Sequence, residues 1–320
     1  MKKKLLIVIA TMLTVCASAQ IKPDAIFTKT EKDVIPEGIT IDPADRTIYV
    51  SSIARKKIIA IDTNGATKDF IKTNQDEFLE GLGMKIDEKK QWLWAASNQK
   101  QDKWYISQVH AFDLKTKMVK QQYTVKDTGQ HGFNDLILHP NGKVYITDTY
   151  GASIYEADPT RQKLGVFIHD SLIAYPNGIT CNKQGKIYIA TYSHGLMQLD
   201  VTSKKLTPLT GYIDSVKAFA LDGLVFWNKT IIGVYNGAEK NSDNSIVQYF
   251  LNDDGDKIIN ERIIDKGNSL FHEPTTAAVL ENNLYVLSNS YLAAYNANKE
   301  SVAGIEDKLG SVTILVYKLK

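Results

Sequence analysis

Six segments of this chain share one apolar pattern, and their spacing restricts the fold more than any single motif does. RTIYVSSI (46–53), QWLWAASN (91–98), GKVYITDT (142–149), GKIYIATY (185–192), KTIIGVYN (229–236) and NNLYVLSN (282–289) are β-branched and aromatic and contain no Pro; each follows a polar turn. Upstream of each lies a shorter strand. The heads of these strands read Glu37-Gly38-Ile39, Glu80-Gly81-Leu82, Asn134-Asp135-Leu136, Asn177-Gly178-Ile179, Asp222-Gly223-Leu224 and Pro274-Thr275-Thr276. Successive heads are 43 to 54 residues apart. A third strand follows in each unit, as in KKIIAID (56–62) and HGLMQLD (194–200), and a fourth in most, as in KLGVFI (163–168). Four strands repeated about every 40–50 residues are the pattern of β-propeller blades. The expectation is an all-β, six-bladed β-propeller forming a single domain over residues 20–320.

Counting strands predicts how the ring closes. The sixth unit ends on its third strand, SVTILVYK (311–318), and lacks a fourth. AIFTKTE (25–31) is an alternating segment with no unit of its own. Placed as the outer strand of the last blade, it joins the two chain ends and hides an open sheet edge.

Residues 1–20, MKKKLLIVIATMLTVCASAQ, have a basic start, an apolar run and Ala17-Ser18-Ala19. This pattern predicts a signal peptide over 1–19 and export to the periplasm or the medium. Cys16 offers a lipid-anchored alternative, although Val15 before it is not the small residue that such processing favours. No later stretch has the roughly 20 apolar residues of a transmembrane segment. The whole sequence carries +2, and without residues 1–19 the balance falls to −1, which gives no electrostatic footprint for nucleic acid. After cleavage only Cys181 remains, so no internal disulfide is expected. The mature chain is expected to act as a monomer on a small-molecule substrate.

In a propeller the first strand of every blade lines the central channel, so residues at its start converge on one axis. Here these are Glu37, Glu80, Asn134 with Asp135, Asn177 and Asp222. Carboxylate and amide oxygens are hard ligands suited to Ca2+, and no His or thiolate cluster joins them to favour zinc or copper. Asn64-Gly65, Asn141-Gly142 and Asn236-Gly237 are explained as turns between strands. Asn177-Gly178 differs, because it opens an inner strand in register with Glu37 and Asp222. Asn252-Asp253-Asp254-Gly255 with Glu261 imitates part of an EF-hand loop, but its first ligand position would be Phe250. The sequence has no G-x-S-x-G or H-E-x-x-H.

PEGI (36–39), FNDL (133–136) with PNGKVYITD (140–148), YPNGI (175–179) and LDGL (221–224) together resemble the senescence-marker-protein/gluconolactonase family. That regucalcin-like family of six-bladed propellers is related to paraoxonases and diisopropyl fluorophosphatase. The resemblance runs from about residue 34 onward. It implies one divalent ion, usually Ca2+, held by Glu37, Asn134, Asn177 and Asp222. It also implies that Asp135 is an acidic neighbour close to the substrate. His272 stands close to where some relatives carry a channel or second-metal-site His, and His131 stands just before blade three.

Three functions follow as expectations. One is a calcium-dependent hydrolase of small lactones or related esters, with Asp222 or Asp135 as base or nucleophile and His272 as a further catalytic candidate. The second is a non-catalytic propeller that binds a ligand or protein and keeps a structural ion. The third, an enzyme resembling strictosidine synthase, shares the fold without a metal, and the four oxygen ligands speak against it.

Overall fold

A computed structural model of the chain describes residues 21–213, 218–236 and 241–320. The signal peptide expected over 1–19 lies outside the described residues. Among the described residues, six four-stranded sheets are arranged as the blades of a β-propeller. Blade one holds β2 (Pro36–Ile41), β3 (Ile48–Ser52), β4 (Lys57–Ile61) and β5 (Thr67–Ile71); blade two holds β6 (Glu80–Asp87), β7 (Trp92–Gln101), β8 (Trp104–Asp113) and β9 (Val119–Asp127). Blade three runs β10 (Phe133–Leu138), β11 (Val144–Asp148), β12 (Ser153–Asp158) and β13 (Lys163–His169); blade four runs β14 (Pro176–Cys181), β15 (Ile187–Thr191), β16 (Gly195–Asp200) and β17 (Lys205–Pro208). Blade five is β18 (Leu221–Trp227), β19 (Thr230–Tyr235), β20 (Ser245–Leu251) and β21 (Ile258–Lys266). Blade six is β22 (Ala277–Leu280), β23 (Asn283–Leu287), β24 (Thr313–Lys318) and, from the other end of the chain, β1 (Asp24–Phe27).

Middle strands such as β3, β4, β11 and β15 are buried at every residue, because each sheet is covered on both faces by its neighbours. This is why their sequences read as continuous apolar runs. The core is divided among the seams between blades. Tyr49 and Phe70 of blade one pack on Met84, Leu93 and Phe112 of blade two. Ile137 and Ile154 of blade three meet Ile179 and Ile189 of blade four. The closing seam is built in the same way, with Ile39 and Val50 against Leu287 and Ile314. Each such fully buried side chain contributes about 1.5–3 kcal/mol.

The closing strand stands where the strand count puts it, with Ile26 opposite Ile314 on β24. Its ladder stops at Phe27, four residues before the expected end, and threonines continue the join. Thr28 donates from its amide and its hydroxyl to the carbonyl of Val312 at 3.2 and 2.8 Å. Val312 N–H donates to Thr30 Oγ1 at 2.9 Å, and Ser311 Oγ donates to the Thr30 carbonyl at 2.7 Å. Of the strand's apolar residues Ile26 packs on the core, whereas Phe27 is 62% exposed. The ends are therefore joined mainly by hydrogen bonds.

Two segments depart from the repeat, and both lie on the face where the inner strands begin. β7 and β8 have ten residues each and extend the blade-two hairpin upward. The connection 288–312 between β23 and β24 carries a short helix, Leu292–Ala297. It folds over the ring by packing Tyr295, Ile305 and Leu309 onto Ile35 and Ile53. Among the described residues no helix is long and apolar enough to cross a membrane.

Candidate active site

Each of the first five inner strands breaks register with its neighbour just after it begins. Pairing jumps from Pro36 to Ile39, Gly81 to Met84, Phe133 to Leu136, Pro176 to Ile179 and Leu221 to Leu224. A bulge of this kind re-aims the residues inside it. Those residues are Glu37-Gly38, Leu82-Gly83, Asn134-Asp135, Asn177-Gly178 and Asp222-Gly223. The glycines let neighbouring inner strands close on the axis. A Cβ on Gly38 would overlap the carbonyl of Leu82, and one on Gly178 would overlap that of Asp222.

The break corrects the sequence alignment of blade two. Its head is Leu82-Gly83, two residues beyond Glu80, so blade two presents a hydrocarbon side chain where blades one, three, four and five present oxygen. Glu80 lies higher, with Lys56 Nζ 3.7 Å from its carboxylate. Burial raises the pKa of that carboxyl and the negative charge of Glu300 adds to the rise, while Lys56 opposes it.

Glu37, Asn134, Asn177 and Asp222 are brought together around a hollow of about 10 Å³, with Asp135 and Thr276 also on its wall. That is room for about one water or ion. Glu37 is buried, and its Oε2 has no hydrogen-bond partner. Burial holds its carboxyl well above the usual range, and the charges of Asp222 and Glu273 push in the same direction. Asp222 is pushed up to about 7 by burial, against hydrogen bonds from Asn236 and Asn177, with Asp135 and Glu273 adding to the rise. Asn236 Nδ2 donates to Asp222 Oδ2 at 2.6 Å. Asn177 Nδ2 donates to the Tyr192 hydroxyl at 3.2 Å, and its buried Oδ1 has no partner. Among the described residues no three His, Cys, Asp or Glu side chains gather as a metal cluster; this set is two carboxylates and two amides.

Asp135 is bound differently. Its Oδ1 accepts from Leu136 N–H at 2.8 Å, its Oδ2 accepts from Ile179 N–H at 3.3 Å, and Lys85 Nζ is 3.7 Å away. Burial raises its carboxyl, and Lys85 and the two amides oppose the rise. His272 is not brought into the cluster: it is exposed, with its ring stacked on Tyr291 at 5.4 Å. The next residue, Glu273, is the one whose charge reaches Glu37 and Asp222. His131 donates from Nδ1 to the buried Asp148 at 2.6 Å and lies 3.2 Å from Asp127 through Nε2. Tyr192 escaped the sequence reading and Asn236 was read only as part of a turn, although a common position marks them. Each stands at the end of its blade's second strand, and each binds the head residue of its own blade.

Above the hollow opens a mouth of about 520 Å³. Glu37, Asn134 and Asn177 form its floor; the walls come from β6, the extended β7–β8 hairpin, the His131–Phe133 turn and the helix Leu292–Ala297. A hollow of about 900 Å³ against Cys181, Trp227 and Leu251 lies at the opposite ends of the strands, away from these oxygens.

Residues 35–150 match the family described as SMP-30/Gluconolactonase/LRE-like region. The match covers blades one and two and the first two strands of blade three, so Glu37 and Asn134 fall inside it, while Asn177 and Asp222 rest on their bulge positions. No curated protein sequence matches the chain. Among solved structures, a regucalcin from Agrobacterium tumefaciens, described as a calcium-binding protein, aligns with TM-score 0.60 at 18% identity, covering 95% of this chain and 98% of that one. A gluconolactonase from Xanthomonas campestris aligns at 0.59 with 12% identity, over 91% and 88% of the two chains. The PQQ-bound aldose sugar dehydrogenase from Streptomyces coelicolor aligns at 0.62 with 12% identity, over 94% and 99%. At these identities the structural likeness speaks for the fold. Residues 35–150, which match that family, lie within a six-bladed β-propeller.

Proposed function

We propose that the protein is an exported, calcium-dependent hydrolase of small lactones or related esters. The family match supports a lactonase-type hydrolase, and the export part rests on residues 1–19 of the sequence. One observation carries the ion: two buried oxygens, Glu37 Oε2 and Asn177 Oδ1, lack partners beside two carboxyls that burial holds high. Unpaired buried oxygens and crowded carboxylates are costly, and a hard divalent cation relieves both. Glu37, Asn134, Asn177 and Asp222 would hold it. When bound, the ion supplies Lewis-acid polarisation of an ester carbonyl.

The chain's own groups supply the rest. Asp222, oriented by Asn236, is our assignment for the carboxylate that takes a proton from the attacking water. Asp135 is committed to two backbone amides and Lys85, which fits it to keep Asn134 and β14 in place. In the overall change a C–O bond forms between water and the acyl carbon, and the acyl–oxygen bond of the ring breaks. One water proton ends on the released alkoxide oxygen and the other leaves with solvent, giving a hydroxycarboxylate and a proton.

A panel of alkyl and sugar lactones, aryl esters and phosphotriesters, each with Ca2+ or with chelator, tests this proposal. Hydrolysis that needs Ca2+ and is lost in Asp222→Asn supports it. Protein that binds the ion yet is inert throughout would return the choice to a binding propeller, and turnover that survives chelation would exclude the ion's role.

A further inference from the structure

We infer that the mouth accepts a compact lactone or ester with an alkyl or aryl substituent and selects against polyhydroxylated sugar lactones. This rests on the hydrolase reading and names its substrate class. Four half-buried polar side chains of the mouth are already committed within the protein. Asn98 donates from Nδ2 to the Phe133 carbonyl at 2.7 Å, and its Oδ1 accepts from Phe133 N–H at 2.8 Å. Thr149 Oγ1 donates to the Pro176 carbonyl at 2.7 Å. Glu80 faces Lys56, and His131 lies between Asp148 and Asp127. A sugar hydroxyl brought against these four groups would lose its water without finding a free partner, and unpaired polar groups are what such sites reject.

Beside the floor, one wall of the mouth is hydrocarbon. Leu82 occupies the axial position where four other blades carry an oxygen ligand, directly beside the Glu37 and Asn134 floor. Ile53, Leu292 and the ring of Tyr295 continue that wall, packed together under the 288–312 connection. Lys100, Gln130, Asn296 and Glu300 line the mouth as exposed side chains, and Gln99 and Tyr105 line it half-buried on the β7–β8 hairpin. Among the described residues no arginine lines the mouth.

The test compares kcat/KM for an alkyl-substituted δ-lactone and an aryl-fused lactone with that for an aldonolactone at one Ca2+ concentration. A preference of about 10²-fold or more for the first two is expected, and an equal or better aldonolactone overturns the inference. Leu82→Asn should lower the preference about 10-fold. Leu292→Asn, on the partly exposed helix, should do the same and guards against a folding defect at Leu82. Protein inert on every lactone breaks the hydrolase reading alone. Calorimetry with the matching lactams then decides the inference: an alkyl lactam binding at least tenfold more tightly than the polyhydroxylated one upholds it, and the reverse order overturns it.

Discussion

The floor and the mouth of this propeller sit against each other and are built by opposite means. The floor comes from the repeat: one bulge at the start of the inner strand, copied through the first five blades, delivers Glu37, Asn134, Asn177 and Asp222 to the axis. The mouth comes from departures from the repeat, the long β7–β8 hairpin and the 288–312 connection. Repetition thus makes a rigid donor set, and irregularity makes the surface that chooses what reaches it. Changes in the floor should alter ion binding and rate together; changes in the mouth should alter preference among substrates.

The largest effect is expected where both regions fail at once. Deleting residues 21–31 removes β1 and the Thr28–Thr30 join, and with them the outer cover of blade six. Blade six also holds the floor through Thr275 Oγ1, which donates to the Glu37 carbonyl at 3.1 Å. The loss should reach several kcal/mol, on the order of a whole domain's margin. An unchanged melting temperature would show that closure depends on the blade-six seam alone.

Within an intact ring, Asp222→Asn should reduce turnover by roughly 10²–10⁴-fold. A variant that keeps its rate would remove Asp222 from the chemistry and leave the floor a structural device.

Acidity separates the two regions next. Burial holds the folded-state carboxyls of Glu37 and Asp222 above their unfolded values, Asp222 at about 7. The folded chain therefore binds more protons than the unfolded chain between about pH 4 and 7. Their stabilising effect is full below the unfolded values and is lost as pH rises through 7. Chelated protein should accordingly melt at a higher temperature near pH 5 than near pH 8, by an amount equivalent to a few kcal/mol, and Ca2+ should shrink that difference. Chelated protein that is more stable at pH 8 would contradict this electrostatic description of the floor.

The finest separation is between two glutamates that the sequence places in one register. Glu37→Gln should weaken Ca2+ binding severely, whereas Glu80→Gln should leave it intact and alter KM by a few-fold through the Lys56 pair. Equal losses of Ca2+ binding would put Glu80 back on the floor. Asn236→Ala should fall between them, at about 10–100-fold in Ca2+ affinity, because it orients a ligand without being one.

The same contrast explains what could be read from sequence. Ring size, closure by the N-terminal strand and four of the axial residues were legible because each is either repeated or is the missing member of a repeat. Blade two misled because Glu80-Gly81-Leu82-Gly83 offers a glycine at both candidate places, and only strand pairing shows that the second lies in the bulge. The Leu292–Ala297 helix belongs to no period and had no counterpart to align with. His272 is beside the informative residue: its ring turns outward onto Tyr291, while Glu273 bears on the floor. Tyr192 and Asn236 do recur at one structural position, but two different side chains at a strand end leave no sequence pattern.

The most direct measurement is a calorimetric Ca2+ titration of the metal-stripped full chain, followed by melting with and without chelator. One ion per chain is expected, with a melting temperature that falls on chelation and recovers on adding Ca2+, and with both effects absent in Glu37→Gln. No heat of binding together with a melting temperature indifferent to chelator would contradict a calcium floor, and the unpaired oxygens of Glu37 and Asn177 would need another partner.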